Sequence, residues 1–83
     1  MEKMKGNENE YPEELAKMDA ELSFWRARYK SYSYAIIRLA KKGKFEEIPE
    51  VAAKLNESER MEKSVLYSRK EPFRLYLEGR YKK

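Results

Sequence analysis

The 83-residue sequence contains no Cys, His, Gln or Thr. Without Cys or His, it lacks the groups that form the usual nucleophile–base pairs and the nitrogen and sulfur ligands of zinc. Its three Gly lie far apart and cannot form a phosphate-binding loop. Glu46, Glu47 and Glu50 could hold a hard cation, but no ligand loop of the Ca²⁺-binding kind surrounds them. We therefore expect a protein that is not an enzyme and that uses neither a metal nor a cofactor.

Long apolar runs are also missing. The longest uncharged stretch, residues 31–37, is far shorter than the roughly 18 apolar residues that a membrane span needs. The sequence shows no signal-peptide pattern either, so we expect a cytoplasmic protein without a membrane partner. The absence of the thermolabile residues Cys and Gln, together with abundant Lys and Glu, is typical of hyperthermophile proteins and predicts an archaeal source.

What the sequence does contain is a heptad repeat between Pro12 and Lys42. Eight apolar residues, here called the seam, recur at alternating steps of three and four: Leu15, Met18, Leu22, Trp25, Tyr29, Tyr32, Ile36 and Leu39. This spacing indicates a long helix that presents one side to a partner helix. Pro12 suits the start of such a helix, and Gly43 suits a left-handed cap at its end. Residues 31–37 also alternate like a strand, but the heptad phase crosses them unbroken and favours the helix.

The second half of the chain predicts a return helix that begins at Pro49. Its apolar phase then slips, and Asn56 followed by Glu59 fits a capping box. We therefore favour a break between Asn56 and Ser58, with a third helix up to Lys70; one uninterrupted helix is nearly as well supported. Either way, the sequence predicts an all-α fold in which the long heptad-patterned helix packs antiparallel against one or two shorter helices. The result would be a helical hairpin or a three-helix bundle.

Two structures fit the segment after Pro72. Phe73, Leu75 and Leu77 alternate with polar residues, which is the period of a strand. A lone strand of this kind would need the edge of a sheet on another molecule. A short helix that begins at Pro72 and ends at Gly79 needs no such partner, and we favour it.

These patterns divide the chain into three parts. Residues 1–11 are charged and aperiodic, and we expect a disordered lead. Residues 12–70 form the helical domain. Residues 71–83, which are basic and contain a helix-interrupting Pro, are expected to be a docking segment.

Charge alternates along the chain in four blocks. Residues 1–21 carry three basic and seven acidic side chains, and residues 22–45 carry seven basic and none acidic. Residues 46–62 carry two basic and six acidic side chains, and residues 63–83 carry seven basic and two acidic. In an antiparallel hairpin each acidic block would lie beside a basic block. Two copies of the long helix lying antiparallel would be favoured equally, so charge alone does not choose between a monomer and a homodimer.

Away from the seam, the long helix carries cations at helical spacing, interleaved with aromatic residues. This pattern suits a phosphate backbone. The candidate nucleic-acid-binding residues are Arg26, Lys30, Tyr34, Arg38 and Lys41. The alternative is a solvated basic face that pairs with the acidic residues 46–62. Apolar residues outside the seam indicate further neighbours, and the candidate partner-binding residues are Phe24, Ile37, Phe73, Leu75 and Leu77.

These features together predict a small, basic, non-enzymatic accessory subunit of a nucleic-acid-processing assembly, for example a DNA polymerase or a replication complex. Such a subunit would dock on a larger protein subunit and contact the phosphate backbone of DNA, or less favourably of RNA. Two alternatives remain. One is a pure protein–protein adaptor that forms an antiparallel coiled-coil dimer, and the other is a free-standing dimeric DNA-binding regulator.

Overall fold

The protein, seen in a computed structural model that describes residues 10–81, consists of two long helices joined by a tight turn. Helix α1 spans Glu13–Lys41, a short 3-10 turn spans Phe45–Glu47, and helix α2 spans Ile48–Leu77. The two helices pack against each other, and no strand occurs between residues 10 and 81, which confirms the predicted helical hairpin. The return helix was predicted to be shorter than α1, but it is not: α2 has 30 residues and α1 has 29.

Gly43 ends α1 as the sequence predicts. Its φ of 73° is left-handed, a conformation that Gly adopts without steric cost. The N–H of Gly43 donates to the carbonyl of Ala40 at 3.1 Å, and the N–H of Lys44 donates to the carbonyl of Leu39 at 2.9 Å. This pair of bonds is the Schellman motif, which satisfies the last carbonyls of a helix. Gly79 has the same φ and follows the end of α2.

Helix α2 is continuous through the predicted break, so the prediction of a third helix is wrong. Ser58 occupies a core position and is only 1% exposed. Its Oγ donates to the backbone carbonyl of Lys54, one turn earlier, at 3.1 Å. Because the hydroxyl finds its acceptor within the same helix, a polar residue can fill this core position without interrupting the helix.

Pro72 also lies inside α2, so neither the predicted strand nor the predicted separate short helix forms. A Pro in a helix interior removes one backbone hydrogen bond and typically costs about 3 kcal/mol. Arg74 forms an ion pair with Glu71, one turn earlier in the helix, and another with Glu78, one turn later, at 2.9 Å. These i,i+3 and i,i+4 pairs support the helix as far as Leu77.

The N-terminal and C-terminal segments of the described chain contact each other at the open end of the hairpin. The predicted disordered lead lies outside the described residues except for Glu10 and Tyr11. The ring of Tyr11 meets the ring of Tyr76 edge-on, with centroids 5.2 Å apart, and Tyr81 donates a hydrogen bond to Glu14. The boundary predicted at residue 70 therefore falls inside α2, and the chain beyond it packs on the start of α1. That this segment also docks on a partner stays a prediction.

The core of the hairpin is thin. Seven of the eight seam residues are buried or half-buried, while Tyr29 is 37% exposed. Among the described residues, the fully buried hydrophobic core consists of Leu15, Leu22 and Val65, with exposed fractions of 0%, 5% and 7%. The seam thus forms the helix–helix contact as predicted, but it encloses little apolar volume.

The hairpin is a single layer of helices. Its principal dimensions are 57 × 26 × 14 Å, and the smallest of these is little more than the roughly 10–12 Å diameter of one helix with its side chains. Among residues 10–81, each helix therefore has one helical neighbour, and both flat faces of the layer are open.

Candidate nucleic-acid interface

Ion pairs join the two helices at two levels of the hairpin. The Nε of Arg26 lies 2.7 Å from Oε2 of Glu62, and the Nε of Arg69 lies 3.0 Å from Oδ1 of Asp19. Each pair connects a basic block of one helix to the acidic block of the other, in the antiparallel order that the charge pattern predicts. Part of the positive charge of the chain is therefore neutralised within the molecule.

Arg26 consequently differs from the other predicted nucleic-acid-binding residues. It lies on the flank of α1 that is next to α2, where 58% of its side chain and 24% of that of Glu62 are exposed. An ion pair this exposed contributes at most about 1 kcal/mol to stability. The ion pair with Glu62 must nevertheless break before the Arg26 guanidinium can bind a phosphate. For Arg26, the structure fits the alternative of a basic face paired with the acidic block.

The other four predicted residues form a continuous surface, which we call the α1 stripe: Lys30, Tyr34, Arg38 and Lys41. All four are exposed, and none makes a side-chain hydrogen bond or ion pair with any described residue. At about 100° per residue, they fall within an arc of about 80° and span roughly 16 Å along the helix axis. Because residues 22–45 contain no acidic side chain, no negative charge from α1 itself interrupts this surface.

Two further cations extend the α1 stripe to the tip of the hairpin. Lys42 and Lys44 lie in the turn, and both are exposed and unpaired within the described residues. Sequence reasoning counted them in the basic block but did not assign them to the site. The signal that could have found them is their position: a turn between antiparallel helices projects from the end of the hairpin, where a phosphate can reach it without steric hindrance.

The sequence-based site also missed Arg28, which lies among three aromatic rings. Its Cζ is 5.3 Å from the ring centroids of Phe24 and Tyr32 and 6.0 Å from that of Trp25. Its guanidinium also donates a hydrogen bond to the hydroxyl of Tyr32. We call these four residues the Arg28 cluster. Spacings of three and four residues put side chains on one face of a helix, so the spacing of Phe24, Arg28 and Tyr32 was the available signal.

Phe24 and Ile37, two of the predicted partner-binding residues, are exposed but do not form one patch. Phe24 is 52% exposed and Ile37 is 49% exposed. A separation of thirteen positions places them about 140° apart around α1 and about 20 Å apart along it. One flat partner surface cannot cover both without wrapping around the helix.

The three predicted partner-binding residues of the C-terminal segment differ in exposure. Leu77 is 67% exposed, while Phe73 and Leu75 are half-buried. The guanidinium of Arg69 lies 4.3 Å from the ring centroid of Phe73, so one face of that ring is already covered. Within this segment, Leu77 therefore offers the most open apolar surface.

A polar clamp closes the open end of the hairpin. The hydroxyl of Tyr11 donates to Asp19 and accepts a hydrogen bond from Nη2 of Arg69 at 3.3 Å. Because the Asp19 carboxylate accepts its proton, the pKa of the Tyr11 hydroxyl is raised above its ordinary value. The clamp uses the cation of Arg69 internally, which removes it from any surface available to a ligand.

Within residues 10–81, no cluster of three acidic side chains could hold a metal ion. No helix in that part of the chain is long and apolar enough to cross a membrane. Comparisons with protein-family models, with curated proteins and with solved structures find no match. The function of this surface must therefore be argued from its own geometry and charge.

Proposed function

We propose that the protein is a non-catalytic, nucleic-acid-binding subunit that contacts the phosphate backbone through the α1 stripe. The observation that supports this proposal is the contrast between paired and unpaired cations. Arg26 and Arg69 have carboxylate partners across the hairpin. Lys30, Arg38 and Lys41 have none within the described residues and are grouped on one side of α1. Grouped cations without acidic neighbours create the field that attracts a polyanion.

The α1 stripe suits contact with phosphates better than the reading of bases. Bidentate recognition of adenine needs the amide of Asn or Gln, and neither residue occurs in α1. Lys and Tyr bind phosphate oxygens readily, and such contacts position a protein without selecting a sequence. We therefore expect weak sequence preference.

An accessory role follows from the small size of the surface. A few phosphate contacts give only modest affinity at physiological salt, and linkage to a second binding surface raises the affinity by increasing the effective concentration. Exposed Ile37 and Leu77 are available for docking on a larger protein. Within this proposal, the larger protein belongs to a nucleic-acid-processing assembly, such as a DNA polymerase or a replication complex.

A charge-reversal experiment tests the phosphate contact. One variant reverses three cations of the α1 stripe: Lys30→Glu, Arg38→Glu and Lys41→Glu. The matched control reverses three exposed, unpaired cations of α2, with the same change in net charge: Lys54→Glu, Arg60→Glu and Lys70→Glu. Fluorescence anisotropy with a labelled oligonucleotide, measured over a range of salt concentrations, gives the affinity and its salt dependence.

We expect wild-type protein to show a slope of log affinity against log salt of about −2 to −3, because each neutralised phosphate contributes about −0.7 to −0.9. The α1 variant should lose binding, and the α2 control should lose much less. If both variants bind equally weakly, net charge alone attracts the nucleic acid. If wild-type protein shows no salt-dependent binding, the proposal fails.

The single-layer geometry supports a second candidate function, that of a protein–protein adaptor formed by two copies. A layer 14 Å thick, with a buried hydrophobic core of three side chains among the described residues, leaves much apolar surface open. Two such hairpins stacked face to face would form a four-helix bundle. Light scattering at several protein concentrations tests this candidate, because a strictly monomeric protein that stays folded would rule it out.

A further inference from the structure

We infer that the surface around the α1 stripe binds single-stranded nucleic acid in preference to a duplex, by stacking bases on the rings of Phe24 and Tyr34. This inference rests on the proposed phosphate contact and adds the class of nucleic acid. Both rings are 52% exposed. Both also lie in the segment, residues 22–45, that has seven basic and no acidic side chains.

Exposed aromatic rings among cations favour single-stranded nucleic acid over a duplex. In a duplex the faces of the bases are stacked on each other, so a ring on the protein surface has nothing to stack against. A single strand offers unstacked bases, and a positively charged surface with aromatic side chains is the usual way in which proteins bind it. For duplex binding alone, neither ring face would have a base to stack on, and only the Tyr34 hydroxyl could contribute, by contacting a phosphate.

The helix surface between the two rings is open. Phe24 and Tyr34 are separated by about 15 Å along α1 and by about 80° around it. Ala27 and Ser31 fall within this arc, and both are exposed. Because these side chains are small, a strand can lie close to the helix while its bases reach a ring at either end. Arg38 is in the same arc and supplies a cation beside Tyr34.

Arg28 adds a cation at the other ring. Its guanidinium lies 5.3 Å from the centroid of Phe24 and is exposed. Within the described residues it has no carboxylate partner, and its one hydrogen bond goes to the Tyr32 hydroxyl. A base that stacks on Phe24 would therefore have a guanidinium next to it that can contact the adjoining phosphate or the base itself.

The most exposed aromatic residue of the described chain lacks this environment. Tyr67 on α2 is 81% exposed. Of the charged residues three or four positions away, Lys63 and Glu71 are each engaged in an ion pair within α2, and Lys70 is a single unpaired cation. Tyr67 is therefore a matched control: it is an open ring at the surface without a group of unpaired cations of one sign around it.

The test compares one sequence as a single strand and as a duplex of about 20 nucleotides, which is longer than a typical single-strand site. Phe24→Leu and Tyr34→Leu remove a ring and keep an apolar side chain that favours helix. Phe24→Trp keeps a stacking surface, and Tyr67→Leu is the control. Circular dichroism establishes that each variant is folded. Fluorescence anisotropy at low salt gives the affinities.

We expect wild-type protein to bind the single strand more tightly than the duplex. Phe24→Leu and Tyr34→Leu should each weaken single-strand binding about fivefold or more, which corresponds to the lower end of base–aromatic stacking energies. The salt slope should not change, because no cation is removed. Phe24→Trp and Tyr67→Leu should bind like wild-type protein.

Equal affinity for single strand and duplex, with no effect of Phe24→Leu, would overturn this inference and leave the phosphate contact intact. An equal loss for both ligands, or an equal loss in Tyr67→Leu, would also overturn it, because stacking on specific rings predicts neither. The absence of any salt-dependent binding would overturn the proposed function itself and this inference with it.

Discussion

The two halves of the hairpin use the same kinds of residue for different purposes. The open-end half, residues 10–26 and 62–81, contains the three buried apolar side chains and both ion pairs between the helices. The turn half, residues 27–61, has one buried side chain, that of Ser58, and its described residues form no ion pair between the helices. The turn half also carries the α1 stripe. Residues that hold the molecule together and residues that are free to bind a ligand are thus separated along the same two helices.

This separation has a consequence for stability. Few buried apolar contacts and many exposed backbone hydrogen bonds are the properties of regions that open locally at low free energy. The turn half has the first property, since it contains no buried apolar side chain. Ligand-binding elements are commonly regions of low local stability. A bound nucleic-acid strand would add contacts that the turn half lacks.

The largest expected effect is a loss of stability, tested by replacing one seam residue in each half. Leu22→Ala should destabilise the protein by about 2–5 kcal/mol, because Leu22 is only 5% exposed and leaves a cavity. Leu39→Ala should cost clearly less, because Leu39 is only half-buried and its site can be filled by water or by neighbouring side chains. Urea unfolding followed by circular dichroism measures both. Equal losses would show that the halves are equally well packed.

A smaller effect on stability and on nucleic-acid binding is expected when a paired cation and an unpaired cation are each replaced. Arg26→Ala should lower stability by at most about 1 kcal/mol, because it breaks the ion pair with Glu62, and should change nucleic-acid affinity little. Lys30→Ala should leave stability nearly unchanged and reduce the magnitude of the salt slope by somewhat less than one. Thermal unfolding and the anisotropy titration measure the two quantities on the same samples. The reverse result would place the ligand on the flank next to α2 instead of on the α1 stripe.

Sequence patterns predicted α1 and the hairpin well because they are local and strong. The heptad repeat fixed the buried side of α1, and Gly43 fixed its end. The predicted helix break near Ser58 was wrong. A Ser at a core position interrupts the apolar repeat, and the sequence pattern does not show that its hydroxyl can donate to the carbonyl of Lys54. The predicted helix end at Lys70, just before Pro72, was wrong for a related reason: a local pattern does not show the contacts made beyond the Pro, which include the ion pairs of Arg74 and the packing of Tyr76 on Tyr11.

The candidate site was predicted only in part, because its charges depend on the register of the two helices. Composition and spacing found the basic block, but they could not distinguish Arg26 from Lys30. That distinction requires knowing that Glu62 pairs with Arg26 and that Lys30 has no carboxylate partner among the described residues. Register depends on the length of the turn and on the packing of residues far apart in sequence, and neither is visible in a local pattern.

The smallest expected effect is an alkaline loss of stability that originates in the open-end half. The pKa of Tyr11 is raised above its ordinary value of 10.0, first because its hydroxyl donates to the Asp19 carboxylate. The unfolded chain releases this proton at the ordinary pKa, while the folded chain keeps it to higher pH. The stability that the clamp contributes is therefore complete below about pH 10 and is lost as the pH rises through the folded pKa. The pKa of Tyr81 is also raised, because its hydroxyl donates a hydrogen bond to Glu14, so Tyr11 and Tyr81 act in the same window.

Tyr11→Phe should therefore make the melting temperature fall less steeply above about pH 10 than it does in wild-type protein, because the variant has no proton to lose at this position. Tyr34→Phe is the control from the turn half, since the Tyr34 hydroxyl has no partner among the described residues and its removal should leave the pH profile unchanged. Melting curves at closely spaced alkaline pH values measure the difference. Parallel profiles for wild-type protein and Tyr11→Phe would show that the clamp does not hold the open end together. The stability of that half would then have to come from its three buried apolar side chains and its ion pairs.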